Sequence, residues 1–158
     1  MTACSPTSRP SSSGAAPGLR AAKYRRSRWI VAWLGGAAIG VANGVAREAT
    51  YGRRVSERTA RQLSGLTAIG AFAAYFWALE RRWPIPTGAE AANIGAAWVA
   101  LTVAFEFSFG RLVANQSWDE LASDYNLAQG RTWPLVLAWI GIGPSVVRRL
   151  QRGIPIDD

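Results

Sequence analysis

The chain has 158 residues, of which 49% are hydrophobic and only 18% charged, with a net charge of +8 and no histidine. That length allows one ordinary domain, and without histidine there is no His-ligated haem, no zinc-histidine site and no Ser-His or Cys-His catalytic pair. The single cysteine, Cys4, and the single methionine, the initiator, leave no intrachain disulfide and no thiolate cluster, so neither cofactor nor metal is expected.

Residues 1–28 read as a disordered basic tail. Ser, Pro, Gly and Ala dominate its first 22 positions, and Lys23, Arg25, Arg26 and Arg28 form a collar at its end. Four apolar runs follow, at about 29–46, 62–79, 89–109 and 132–147, and apart from Glu90 at the edge of the third, Glu106 is the one charge inside any of them. A helix rises about 1.5 Å per residue, so 18 residues cover roughly 27 Å of a hydrocarbon core about 30 Å thick. A soluble bundle is the alternative, but its helices carry a polar face. Here WIVAWLGGAAIGVANGV has Asn43 as its only polar side chain, and LSGLTAIGAFAAYFWAL has only Ser, Thr and Tyr. The fold class expected is an all-α integral membrane four-helix bundle over 29–150, with a tail at 151–158 and membrane lipids as its surroundings.

The loops differ in character. Arg47–Arg61 is polar and long enough for a helical turn leading into the second span. ERRWPIPTG (80–88) is a short turn stiffened by Pro84 and Pro86. In Gly110–Arg131, Ser117 and Glu120 have capping-box spacing, and Trp118, Leu121, Ala122 and Tyr125 follow at helical intervals. A surface helix over about 117–126 is expected there. In the last run, Gly141, Gly143 and Pro144 predict a kink.

Charge and aromatic placement give an orientation. With the N-terminus inside, eleven Lys and Arg fall on the cytoplasmic side and seven outside, so both termini are expected in the cytoplasm. Arginines flanking spans account for the basic balance, and no nucleic-acid partner is expected. Trp29, Trp33, Trp77, Trp83 and Trp133 lie at span ends, where interfacial belts form, whereas Trp98 and Trp139 fall mid-span and suggest packing.

Two patterns stand out. Gly36, Gly40 and Gly44 repeat at four-residue spacing, which lets helix backbones approach closely. Packing inside the bundle is the favoured reading; a homo-oligomer or a membrane-protein partner is the alternative. The second pattern is EATYGR (48–53) against EFSFGR (106–111), both E-x-[S/T]-[Y/F]-G-R. It suggests two similar hairpins in parallel repeat, related by a twofold along the membrane normal. Its Gly-Arg end also fits a plain helix C-cap.

Glu106 is the most informative residue. A carboxylate in an apolar run costs roughly 2.5–3.5 kcal/mol at a helix centre, and less near its end, so it is expected to have a partner. Thr102 shares its face, and Asn43, Arg47 and Tyr51 share a face on the first span that reaches the same membrane side. The expectation is an Arg47–Glu106 ion pair within a polar cluster of Asn43, Glu48, Thr102 and Asp124, with Asp124-Tyr125-Asn126 a candidate lid. No residue is assigned a catalytic role.

The stretches REATYG (47–52), FEFSFG (105–110) and DYN (124–126), with Gln62-Leu63-Ser64 and Arg82-Trp83-Pro84, resemble a family of small uncharacterised bacterial four-span integral membrane proteins over about residues 29–150. The resemblance implies the bacterial inner membrane and supplies no activity. Three functional readings stand beside it. The first is a non-enzymatic membrane component or accessory subunit with Arg47–Glu106 as a helix lock. The second is a small carrier or ligand-binding protein with a carboxylate pocket. The third, ranked last, is a lipid-modifying enzyme using Glu106 as base and Arg47 as anion stabiliser.

Overall fold

A computed structural model describes residues 15–52, 54–123, 125–126 and 131–153. The described residues form five helices and no strand: α1 (Ala15–Ala49), α2 (Glu57–Arg82), α3 (Gly88–Leu112), α4 (Trp118–Ser123) and α5 (Trp133–Gly153).

Local chemistry explains the helix starts. α1 begins well before the first apolar run, inside the segment expected to be disordered. Alanine, leucine and arginine there are strong helix formers, and Pro17 sits in the first turn, where its missing N–H costs nothing. Ser56 caps α2 by accepting from the Thr59 amide, and Thr87 caps α3 by accepting from the Glu90 amide. The expected capping box opens α4. Glu120 Oε2 accepts from the Ser117 amide at 2.6 Å, and Ser117 Oγ accepts from the Glu120 amide at 3.2 Å. α3 ends through a turn at Asn115, whose φ of 52° is one that asparagine tolerates.

Among the described residues three helices, where four spans were expected, are long and apolar enough to cross a membrane: Lys23–Ala49 within α1, α2 and α3. In α5 the apolar stretch stops at Arg148-Arg149. Outward-facing residues agree with an apolar surround: Val31, Leu34, Val41 and Val45 on α1, Leu66 on α2 and Ile142 on α5 are all exposed.

Each long helix has two neighbours. α1 packs on α2 and α3, and α5 packs on the same two. Around the bundle the order is therefore α1, α2, α5, α3. A twofold along the membrane normal would exchange α1 with α3 and α2 with α5, and exchanged helices must face each other across the axis. Here they are adjacent, so this packing does not carry the expected parallel repeat. The two motif copies also differ locally. α1 ends before Gly52, whereas Gly110 lies inside α3, where an added Cβ would press on Leu121 Cδ2 of α4 at 2.5 Å. Gly110 therefore lies where α4 docks on α3 and does not cap α3.

The core centres on Trp29, Phe72, Phe76, Trp98, Ile94, Ile140 and Val136. Trp98 packs as expected for a mid-span residue, edge-on to Phe76 with centroids 5.1 Å apart. Trp29 departs from its expected place in an interfacial belt: it is fully buried. Its indole donates to Trp83 O at 3.0 Å, and its own carbonyl accepts from Trp98 Nε1 at 2.9 Å. A buried indole needs such an acceptor, and the turn after α2 supplies it.

The closest helix approach is between α3 and α5. A Cβ on Gly95 would lie 2.8 Å from the carbonyl carbon of Gly141, and its oxygen is nearer still. At the same end as Trp29, the turn 83–87 is clamped. The buried Glu80 carboxylate accepts the Ile85 amide with both oxygens at 3.1 Å. Arg148 and Arg152 donate to Ile85 O at 3.0 Å, and both reach Pro86 O. Two prolines leave this turn few amides of its own, so side chains satisfy its carbonyls.

Candidate functional site

At the opposite end, the C-terminal parts of α1 and α3 and the N-terminal parts of α2 and α5 surround an open cavity of about 450 Å³. Gly40 and Gly44 of α1 make room for it: nothing lies within 4 Å of a Cβ built on either. Of the three spaced glycines, only Gly36 packs as expected, against Trp98 and Phe72.

Arg47, Glu48, Asn43 and Glu106 all line this cavity, so four of the expected cluster do meet around one space. Glu57, Arg61 and Arg131 join them, giving three arginines and three glutamates in the wall. The expected Arg47–Glu106 ion pair does not form. Arg47 instead holds Glu48 Oε1, with Nη2 at 2.8 Å and Nε at 3.1 Å. The adjacent carboxylate lies within reach of the guanidinium without any helix having to move. Arg61 pairs with Glu57 one turn back along α2.

Glu106 finds its partners elsewhere. Its Oε2 accepts from the Tyr125 hydroxyl at 2.6 Å and from Trp133 Nε1 at 2.9 Å. Both donors arrive with the segment that follows α4 and leads into α5. A carboxylate oxygen has the lone pairs to take both, and bonds to an ionised acceptor are the strong class. Aromatic rings pack beside it, with the Phe107 and Tyr125 centroids 5.9 Å apart.

The other expected members serve helix packing. Asn43 Nδ2 donates to Ser64 Oγ at 2.8 Å and Ser64 O at 3.0 Å, and its Oδ1 accepts from Thr67 Oγ1 at 2.7 Å. It ties α1 to α2. Thr102 Oγ1 accepts from Trp33 Nε1 at 3.1 Å and so ties α3 to α1. Asp124 lies outside the described residues. Thr132 Oγ1 donates to Arg61 O at 3.0 Å and fixes the start of α5 against α2.

Next to the polar cavity is a second, apolar one of about 240 Å³ between α1 and α3. Trp33, Phe72, Trp98, Phe105 and Phe109 line it, with Thr102 at its side. Gly40, Glu106 and Trp133 line both cavities. The carboxylate therefore stands where a polar chamber meets an aromatic one. Trp133 and Tyr125 were the residues that sequence reasoning did not assign to Glu106. Tyr125 was expected in a lid over the cluster and Trp133 in an interfacial belt, and neither was expected as a donor to the carboxylate.

Outside the membrane segments, the Ser117 amide that donates to the Glu120 carboxylate, with the Ser117 hydroxyl beside it, holds that carboxyl below the usual glutamate range. No protein-family model, curated protein or solved structure matches the chain.

Proposed function

We propose that this chain is a multi-pass membrane protein that holds a small ligand in the two-chambered site around Glu106, without catalysing a reaction. In this reading α5 also crosses the membrane, completing four spans. Both termini face the cytoplasm of a bacterial cell, and the site opens toward the other side. The charge bias of eleven against seven Lys and Arg supports that orientation, and the resemblance to small four-span bacterial proteins supports the inner membrane as its location.

One observation carries the binding role: Glu106, Gly40 and Trp133 belong to the walls of both cavities. Concave, mostly apolar space with a few convergent polar groups is what ligand sites offer. The helix-lock reading rested on Arg47 reaching Glu106, and Arg47 is held by Glu48. The enzyme reading needed the same juxtaposition.

Cysteine accessibility tests it. In a Cys4→Ser background, Gly44→Cys lines the polar cavity, and Val45→Cys sits at the same depth on an exposed apolar face. A charged, membrane-impermeant thiol reagent applied from outside should modify Gly44→Cys at least tenfold faster than Val45→Cys. Adding Gly40→Leu, which fills the junction, should slow that reaction. Equal rates at the two positions would refute a water-reached chamber.

A further inference from the structure

We infer that the end of the bundle holding turn 83–87 binds the headgroup of an anionic phospholipid, whose phosphate seats between Arg28 and Arg82 at the Trp83 ring while its acyl chains run along the outer face of α1. This does not depend on the site around Glu106 and requires only that the helices stand in a bilayer.

Three features carry it. The first is charge left uncompensated at one end. Among the described residues, this end has nine Lys and Arg, at 23–28, 81–82 and 148–152, against two carboxylates, Glu80 and Glu90, both buried. The opposite end has six arginines against five carboxylates, with the ion pairs Arg47–Glu48 and Arg61–Glu57 among them. Among the described residues none of the nine cations is ion-paired, so their excess charge needs a counter-charge from outside.

The second feature is how these arginines are held, since flanking charge by itself only orients a membrane protein. Arg25 and Arg28 of α1, Arg82 of α2, and Arg148 and Arg152 of α5 all reach turn 83–87, which has no acidic side chain. Arg28 and Arg82 both lie over the Trp83 ring, at 5.2 and 5.8 Å from its centroid, and Arg28 also donates to the Tyr24 hydroxyl. Arg148 and Arg152 share the Ile85 carbonyl. Like charges gathered this way repel, and each guanidinium keeps donors to spare from its five. A phosphate between Arg28 and Arg82 offsets the repulsion and accepts in the fork geometry that arginine presents.

The third feature selects a lipid over other anions. Val31 lies three residues beyond Arg28, on the same side of α1, and is 64% exposed; Leu34 follows at 63%. A phosphate held at Arg28 therefore has an open apolar face directly beside it for acyl chains. A free phosphate or a nucleic acid would use the charge and leave that face uncovered. A zwitterionic lipid would cover the face but bring its own ammonium to the arginines.

The test uses the purified full-length chain in a neutral glycoside detergent. The probes are dioleoylphosphatidylglycerol, dioleoylphosphatidylcholine, and glycerophosphoglycerol, which is the first lipid's headgroup without its chains. Binding is read from lipid retention in native mass spectrometry and from the shift in melting temperature. Phosphatidylglycerol should be retained at least tenfold more tightly than phosphatidylcholine, and an equal concentration of glycerophosphoglycerol should not displace it. Arg28→Gln with Arg82→Gln should cut that preference at least threefold. Arg54→Gln with Arg58→Gln, which removes the same charge from exposed positions at the other end, should keep it. If the first pair fails to fold, Arg82→Gln alone, at an exposed position, takes its place with the same direction of effect. Equal retention of the two lipids, or a preference lost equally in both double variants, would overturn the assignment. Displacement of the lipid by glycerophosphoglycerol or by a single-stranded oligonucleotide would also overturn it, because the surface would then be a site for free anions.

Discussion

Replacing Gly95 by alanine should separate α3 from α5. The new Cβ would lie 2.8 Å from the Gly141 carbonyl carbon, whereas ordinary contact begins near 3.4 Å. The backbones must therefore part by at least about 0.6 Å, the difference between those distances, and no rotamer change can relieve a clash with a main chain. A gap of about 0.5–1 Å forfeits roughly a quarter to a half of each dispersion contact it opens. The residues at stake are Ile94 and Trp98 of α3 and Val136 and Ile140 of α5, all buried in the one core. Overpacking of this kind costs about 1–3 kcal/mol, and a backbone clash places Gly95→Ala at the upper end, about 3 kcal/mol. Gly141→Ala is the matched control: its Cβ meets only Val99 Cγ2, at 3.3 Å, and a side-chain end can yield. Gly40→Ala meets nothing and should be neutral apart from helix propensity. Unfolding of the three variants in mixed micelles, titrated with a denaturing detergent and followed by circular dichroism, gives the ordering. Gly95→Ala no less stable than Gly40→Ala would refute the α3–α5 crossing.

Further expectations concern the site and its supports. In a double-mutant cycle, Tyr125→Phe and Glu106→Gln should couple by about 1–3 kcal/mol, the range for hydrogen bonds to charged groups, while Arg47→Gln and Glu106→Gln should add within about 0.5 kcal/mol; stability in micelles measures both. Asn43→Leu should cost about 1 kcal/mol, since it removes three bonds to Ser64 and Thr67 and such bonds are modest in membranes. The Glu120 carboxyl is held low, so its support of α4 is complete above the ordinary glutamate range and is lost as pH falls through its lowered value. Protection of the Trp118–Ser123 amides, taken relative to their intrinsic exchange rates, should fall over that acid window, and Glu120→Gln should make that protection independent of pH there.

Local signals were the legible ones. Ser117 and Glu120 lie three residues apart, and their capping box forms because it needs nothing beyond its own turn. Glu106 announced itself as a carboxylate in an apolar run, since such a group must be satisfied wherever the helix packs. Which group satisfies it depends on the path of the chain after α4, and spacing along one helix does not encode that path. Arg47 was matched to Glu106 by charge and membrane side, but the carboxylate one residue away needs no tertiary arrangement at all. The glycine spacing in α1 was plain, yet Gly36 packs while Gly40 and Gly44 border the open cavity, a difference that spacing alone does not encode. Trp29 opens the first apolar run and Glu80 sits in the last turn of α2, places where water or headgroups are the default neighbours. They are buried because the turn 83–87 folds back over them, with Arg148 and Arg152 of α5 holding its carbonyls.

The most direct measurement of the site is the indole N–H resonance of Trp133, assigned by its loss in Trp133→Phe. A donor bonded to a carboxylate resonates downfield of a free indole, and here the signal should move upfield in Glu106→Gln and stay in place in Arg47→Gln. A Trp133 resonance indifferent to Glu106→Gln, or one that follows Arg47→Gln, would contradict the arrangement on which the account stands.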